Sequence, residues 1–150
     1  MADATSWASA GASANTPYTV SVKAKNGDGT ETSTGTANAY TSIETPTGIS
    51  FDTITTSSLV ISATGTLSNL NAGSSGLWFN ETSGNLGCSD SADWTNTNSF
   101  TDDGLGPNVQ CTYQVKARNG DTDETPYTAT SSKYTLANPP ATVSHSGNTT

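Results

Sequence analysis

The acidic side chains come first, because few other residues in this chain have types and spacing suited to chemistry. Carboxylates gather at Asp90 and Asp93, at Asp102 and Asp103, and at Asp121, Asp123 and Glu124. A pair of carboxyl groups can supply the acid and base of glycoside hydrolysis, and carboxylates on loops can hold a hard cation such as calcium. Each cluster lies among Ser, Thr, Asn and Gly, where acids commonly cap, turn and solubilise, and none has EF-hand spacing. Calcium is therefore a minority reading, and no catalytic, cofactor-binding or metal-ligating residue is assigned. His145 is the only histidine, with no second His or Cys beside it to complete a metal site. Cys88 and Cys111 have no histidine nearby to activate a thiolate. Trp7, Trp78 and Trp94 have the chemistry of a sugar-stacking platform, but in a chain short of large apolar side chains aromatic residues more often build a core. Asn80-Glu-Thr82 and Asn148-Thr-Thr150 match the glycosylation sequon, a weak signal in a chain this rich in Asn and Thr.

What must position these residues is a set of strands. In Cys111-Thr-Tyr-Gln-Val-Lys-Ala117 every second residue is apolar, and Tyr18-Thr-Val-Ser-Val-Lys-Ala24 reads the same way. Period-two alternation marks a strand with one buried face. Each strand runs into Asn-Gly, a strong signal for a tight hairpin turn with both central residues at positive φ. Thr-rich runs ending in Tyr40 and Tyr134 supply the returning strands.

The two hairpins are copies. Val22-Lys-Ala-Lys-Asn-Gly-Asp28 and Val115-Lys-Ala-Arg-Asn-Gly-Asp121 differ only at Lys25/Arg118 and stand 93 positions apart. One extra residue then shifts the spacing to 94 for Tyr40 and Tyr134, and Thr45–Ser50 aligns with Pro139–Ser144 at that shift. A period near ninety residues is the size of one β-sandwich. Residues 1–44 thus read as the second half of a module, 45–138 as a complete module, and 139–150 as the first strand or linker of a following module, or a strand donated to a neighbour. Within 45–138, Ile49 and Phe51 open the first strand; Leu59, Ile61 and Ala63 alternate in the second; Leu77-Trp-Phe79 is a short third. Trp94 and Phe100 mark the next pieces. About seven short strands with frequent turn signals predict an all-β two-sheet sandwich, its buried layer formed by Ile49, Phe51, Leu59, Ile61, Trp78, Tyr113, Val115 and Ala117.

Composition narrows the partners. Thirteen acidic residues against five basic ones give a net charge of −8, with only 12% of residues charged. Nucleic acid and anionic membrane surfaces are poor partners for such a chain, and no apolar run is long enough to span a bilayer. Met1-Ala-Asp-Ala-Thr lacks the basic and apolar regions of a signal peptide, so export implies a signal that lies outside these residues or has been removed.

Leu105-x-Pro107-x-Val109-x-Cys111, followed by Tyr113-x-Val115-x-Ala117-x-Asn119, resembles a strand motif of fibronectin type III domains, as do Pro46-x-Gly48-Ile49 and Ser57–Ser62. The Lys-Ala-Arg-Asn-Gly-Asp hairpin and the Tyr134–Pro140 linker resemble the tandem fibronectin-like repeats of large bacterial surface proteins. The resemblance implies a fibronectin type III/immunoglobulin-like sandwich with a scaffold role, an extracellular or cell-surface location, and no catalytic residues. Two positions depart from it. Ala63 stands where the family commonly has Trp, with Trp78 expected to fill that volume, and Cys111 stands where the family's corner tyrosine belongs, a residue kept at Tyr18. Two cysteines in an exported-looking β-domain usually pair, and a Cys88–Cys111 disulfide would offset the lost tyrosine; two buried free thiols are the alternative.

Three functions fit. The first is a structural and adhesive extracellular module, a repeating unit of a surface array or filament that associates with neighbouring modules or copies. The second is a module binding a surface glycan or a protein. The third is an accessory domain of a larger surface protein or hydrolase. No cofactor is implied, and neither nucleic acid nor membrane insertion.

Overall fold

Alternating side chains build two facing sheets from the centre of the chain. The computed structural model describes Ala8 and residues 10–142, and among them no helix occurs. Eight strands follow in order: β1 Pro17–Val22, β2 Gly35–Tyr40, β3 Gly48–Ile54, β4 Ser58–Thr64, β5 Gly76–Glu81, β6 Ser99–Asp103, β7 Gln110–Arg118 and β8 Ser131–Tyr134. They form three antiparallel sheets, ordered β1-β2, β3-β4-β6 and β5-β7-β8.

The last two sheets enclose the core. Leu59, Ile61 and Ala63 of β4 meet Leu77 and Phe79 of β5 and Cys111, Tyr113, Val115 and Ala117 of β7, all buried, with Ile43 and Leu105 closing the ends. Ile49, Phe51 and Phe100 are half-buried against this layer. Phe51 tilts onto Tyr113 with ring centres 6.3 Å apart, and Phe79 stacks on Phe100 at 5.9 Å. β7 buries every second residue along its length, so its alternation is read correctly from the sequence.

Trp78 is the exception to the expected core. Leu77 and Phe79 point inward, so Trp78 between them points outward and is only half-buried. Three successive apolar residues carry no parity of their own. Register decides: Leu77 pairs with buried Ala117 and Phe79 with buried Val115, whereas Trp78 pairs with Lys116 on the outer face. The volume beside Ala63 is therefore not filled by Trp78.

The Asn-Gly turns also differ from expectation. Neither Asn-Gly residue has positive φ; the left-handed residues are Gly29 (φ 89°) and Thr122 (φ 74°). Asn26 and Asn119 instead cap the turn. Their carbonyls accept from Gly29 and Thr122 amides at 3.1 Å in both copies. Their Oδ1 atoms accept from Asp28 and Thr30, and from Asp121 and Asp123, at 2.8–3.1 Å. Asn side chains favour such local bonds, and they lengthen the loop beyond a two-residue turn.

Candidate functional site

The predicted acidic clusters are spent on local structure. Asp90 accepts from the Glu81 amide, Asp93 from the Trp94 amide, and Asp123 from Asn119 Nδ2. Glu124 pairs with Lys116, which raises the lysine above its usual range. Asp103 is exposed. Asp102 is buried and accepts from Tyr113 Oη, Ser89 N (3.0 Å) and Ser89 Oγ (2.7 Å). Burial first, and the bond to Asp102 second, push the Tyr113 hydroxyl above its usual value, so it stays a donor. Among the described residues no three potential ligands converge as a metal site. His145, Trp7 and Asn148 lie outside the described residues. Asn80 is half-buried on β5, its Nδ2 donating to Glu81 O at 3.2 Å.

Cys88 and Cys111 are joined, with Cα atoms 5.8 Å apart and a sequence separation of 23. The bond fastens the long polar segment between β5 and β6 to β7. Ser89, next to Cys88, carries the Asp102 network, so the disulfide and the buried carboxylate hold the same segment. Closing a loop of that length is worth about 3 kcal/mol in the chain-entropy model. A thiol titration of denatured, unreduced protein will find none, and reduction will lower the denaturation midpoint accordingly. Two titrating thiols would remove the bond from the account.

Trp78 and Trp94 form a cluster on the outer face of β5-β7-β8 rather than a flat platform. Trp78 and Trp94 lie 5.9 Å apart at an interplanar angle of 51°. The Arg118 guanidinium sits 4.4 Å from the Trp94 ring centre, and Lys116 Nζ lies 4.9 Å from the Tyr127 ring. This explains the single difference between the stretches Val22–Asp28 and Val115–Asp121: Arg118 stacks on an aromatic face, which a guanidinium does better than the ammonium of Lys25. Tilted rings with one covered by a cation are poorly shaped for a flat sugar.

Two surfaces were not legible as sites. The first is one face of the β1-β2 hairpin. Tyr18, Val20 and Val22 stand opposite Ala39, Ala37 and Gly35, and Val22 is 68% exposed. Their counterparts Cys111, Tyr113 and Val115 are fully buried under the β3-β4-β6 sheet, and nothing of that kind covers β1 among the described residues.

The second is the joint between this hairpin and the sandwich. Asn15, in the left-handed region (φ 45°), is fully buried there. Its Nδ2 donates to Ser68 O (3.1 Å) and Asn69 O (2.7 Å), and its Oδ1 accepts from Gly120 N (3.0 Å). The Tyr40 amide donates to Asp121 Oδ2 at 2.7 Å, and Asn119 Nδ2 to Thr41 O at 3.3 Å. Tyr40 lies so close over Gly120 that a Cβ there would come within 2.5 Å of its ring, which is why the turn needs glycine although its φ is not left-handed. Glu44 accepts from Ser68 N (2.9 Å) and Oγ (2.6 Å). Burial raises the Glu44 pKa, but these bonds outweigh it and hold the carboxyl below its usual value. The signal that could have found the joint is the 93-residue spacing, which sets Asn15 against Asn108.

That alignment holds bond by bond. Asn15 N to Ser42 O (3.0 Å) recurs as Asn108 N to Leu136 O (3.1 Å), and Thr41 N to Thr16 O (3.1 Å) as Thr135 N to Val109 O (2.9 Å). Thr41 Oγ1 donates to Ser13 O at 2.6 Å, and Thr135 Oγ1 to Gly106 O at 2.7 Å. The ion pair Lys23–Glu31 recurs as Lys116–Glu124. Hairpins β1-β2 and β7-β8 are one structure built twice.

No family model matches the chain, and no curated protein does. Solved structures do. The fibronectin type III domain of human fibronectin type III domain containing protein 3 superimposes with a TM-score of 0.51 at 9% identity, covering 67% of this chain and 92% of that one. Domains d3–d4 of the rat CD45 extracellular region give a TM-score of 0.47 at 17% identity, over 89% of this chain and 71% of that one. Domains FN1–FN3 of chicken CNTN1 give 0.46 at 18% identity, over 81% and 41%. The first of these, at 9% identity, speaks to fold alone: the chain is an all-β sandwich of antiparallel sheets with a fibronectin type III-like fold.

Proposed function

We propose that this chain is a structural and adhesive module, a repeating unit of an extracellular array or filament, and that it does no catalysis. The observation that carries the reading is the hairpin built twice with the same hydrogen bonds, one copy completed by a second sheet and the other presenting the same apolar face uncovered among the described residues. A two-stranded hairpin with such a face is not stable alone in water, so association covers it. A neighbouring module or copy supplies the cover, and residues 139–150, which align with the start of β3, add to it as a strand. Contacts of this head-to-tail kind propagate. The Cys88–Cys111 bond supports an oxidising, extracellular setting. The acidic clusters support a non-catalytic role, since each carboxylate but Asp103 is engaged in a structural bond, Asp121 across the joint and the others within the sandwich. No observation favours the glycan- or protein-binding reading over this one.

Sedimentation velocity tests it. The wild-type chain will associate as concentration rises. Val20→Lys, which puts a charge on the uncovered face, will stay monomeric with the sandwich still folded, and deletion of residues 139–150 will weaken association. A wild-type chain that remains monomeric at millimolar concentration removes the proposal.

A further inference from the structure

We infer that the end of the sandwich formed by Asn108, Tyr134 and Thr135 is a docking face for another copy of the same sandwich, seated on that copy's Asn119-Gly120-Asp121 turn in a rigid joint. The inference rests on the tandem-unit reading and gives it a surface. It follows from the joint already present. There, Asn15, Tyr40 and Thr41 at the end of one hairpin engage Ser68, Asn69 and the Asn119–Asp121 turn of the next sandwich. Asn108, Tyr134 and Thr135 hold the corresponding places at the end of β7-β8, with the same backbone bonds and the same left-handed asparagine (φ 57°).

What differs is occupancy. Asn15 is fully buried, whereas Asn108 is exposed and its side chain makes no hydrogen bond among the described residues; Tyr134 is 52% exposed. The receiving side is repeated too. Asn119 is buried under Thr41 O, while its counterpart Asn26 is exposed. A Cβ at Gly120 would strike Tyr40, but one at Gly27 would meet nothing within 4 Å. A partner for the Asn108 end must therefore offer two outward carbonyls like those of Ser68 and Asn69. It must also offer a free turn amide, a bare Cα for the tyrosine ring, and a carboxylate for the Tyr134 amide. A further copy of this sandwich offers all of these. Spacing permits it: four residues separate Tyr40 from Thr45, and four residues, Thr135–Asn138, follow Tyr134 before the aligned Pro139. Asn138 stands where Glu44 bonds Ser68, so the new joint carries an amide in place of that carboxylate.

The test is a lengthened chain in which residues 1–138 are followed by residues 45–150. Amide hydrogen exchange at the two Gly120 positions, with NMR relaxation of the two sandwiches, reads the joints separately. Slow exchange at both, and tumbling of the sandwiches as one body, are expected. Asn108→Ala should then speed exchange at the second Gly120 by about tenfold or more, as a local opening would, and leave the first unchanged. Tyr134→Ala, at a site half-exposed in the native chain, should do the same without unfolding either sandwich. Independent tumbling, or a second Gly120 indifferent to Asn108→Ala, overturns the inference. A protected second joint in a chain that never self-associates supports the docking face and removes the array; a self-associating chain with an unprotected second joint removes the docking face and spares the array.

Discussion

Replacing Phe79 by alanine lowers the stability of the sandwich by about 3–5 kcal/mol, while the same change at Trp78 costs far less. Phe79 is fully buried and stacked on Phe100 from the facing sheet, so truncation leaves a cavity bounded by strands that cannot collapse independently. Against a typical stability of about 5–15 kcal/mol, that is enough to unfold much of the population in mild denaturant. Trp78, half-buried on the outer face beside Trp94, loses an aromatic contact of about 0.5–1.5 kcal/mol and some covered area. Urea denaturation of both variants checks the order. Equal losses, or a larger one at Trp78, would contradict the register of β5 on β7.

Asp102→Ala has the second large effect, about 2–6 kcal/mol. The carboxylate is buried on β6 and ties three donors together: Tyr113 Oη from the opposite sheet, and Ser89 N and Oγ from the segment that the disulfide fastens. Removing it strands Tyr113 Oη and the Ser89 amide without partners, at roughly 1–3 kcal/mol each. Asp102→Asn keeps an acceptor in place and loses less. Tyr113→Phe in the Asp102→Ala background recovers part of the loss, since it removes one unpaired donor. Thermal melts of the single and double variants give the coupling directly; strict additivity would show that the Tyr113–Asp102 bond does not form.

These two predictions mark where the sequence was and was not readable. Thr112, Gln114 and Lys116 between the apolar residues of β7, and Ser58 and Ser62 flanking Leu59-Val60-Ile61 in β4, fixed the parity that placed Leu59, Ile61, Tyr113 and Val115 inward. Leu77-Trp-Phe79 offered no polar residue, so the largest side chain was assigned inward when register sent it out. The Asn-Gly pairs announced turns but not their type, since the asparagine side chains, not positive φ, shape them. The joint was harder still. It rests on backbone carbonyls, an amide and a glycine whose need appears only when Tyr40 lies over it. The 93-residue copy did hold the clue, in Asn15 and Asn108, but only bond geometry shows that one asparagine is buried and the other waits.

The central claim is that the N-terminal hairpin and the sandwich are joined as successive units of one repeat, and amide hydrogen exchange in the 150-residue chain tests it most directly. The amides of Gly120 and Tyr40, bonded to Asn15 Oδ1 and Asp121 Oδ2 across the joint, should exchange on the timescale of the sandwich core, and Asn15→Ala should release both while Val115 stays protected. Fast exchange at Gly120 and Tyr40 in the wild-type chain, beside a protected Val115, would show a hairpin hanging free of the sandwich and would contradict the account.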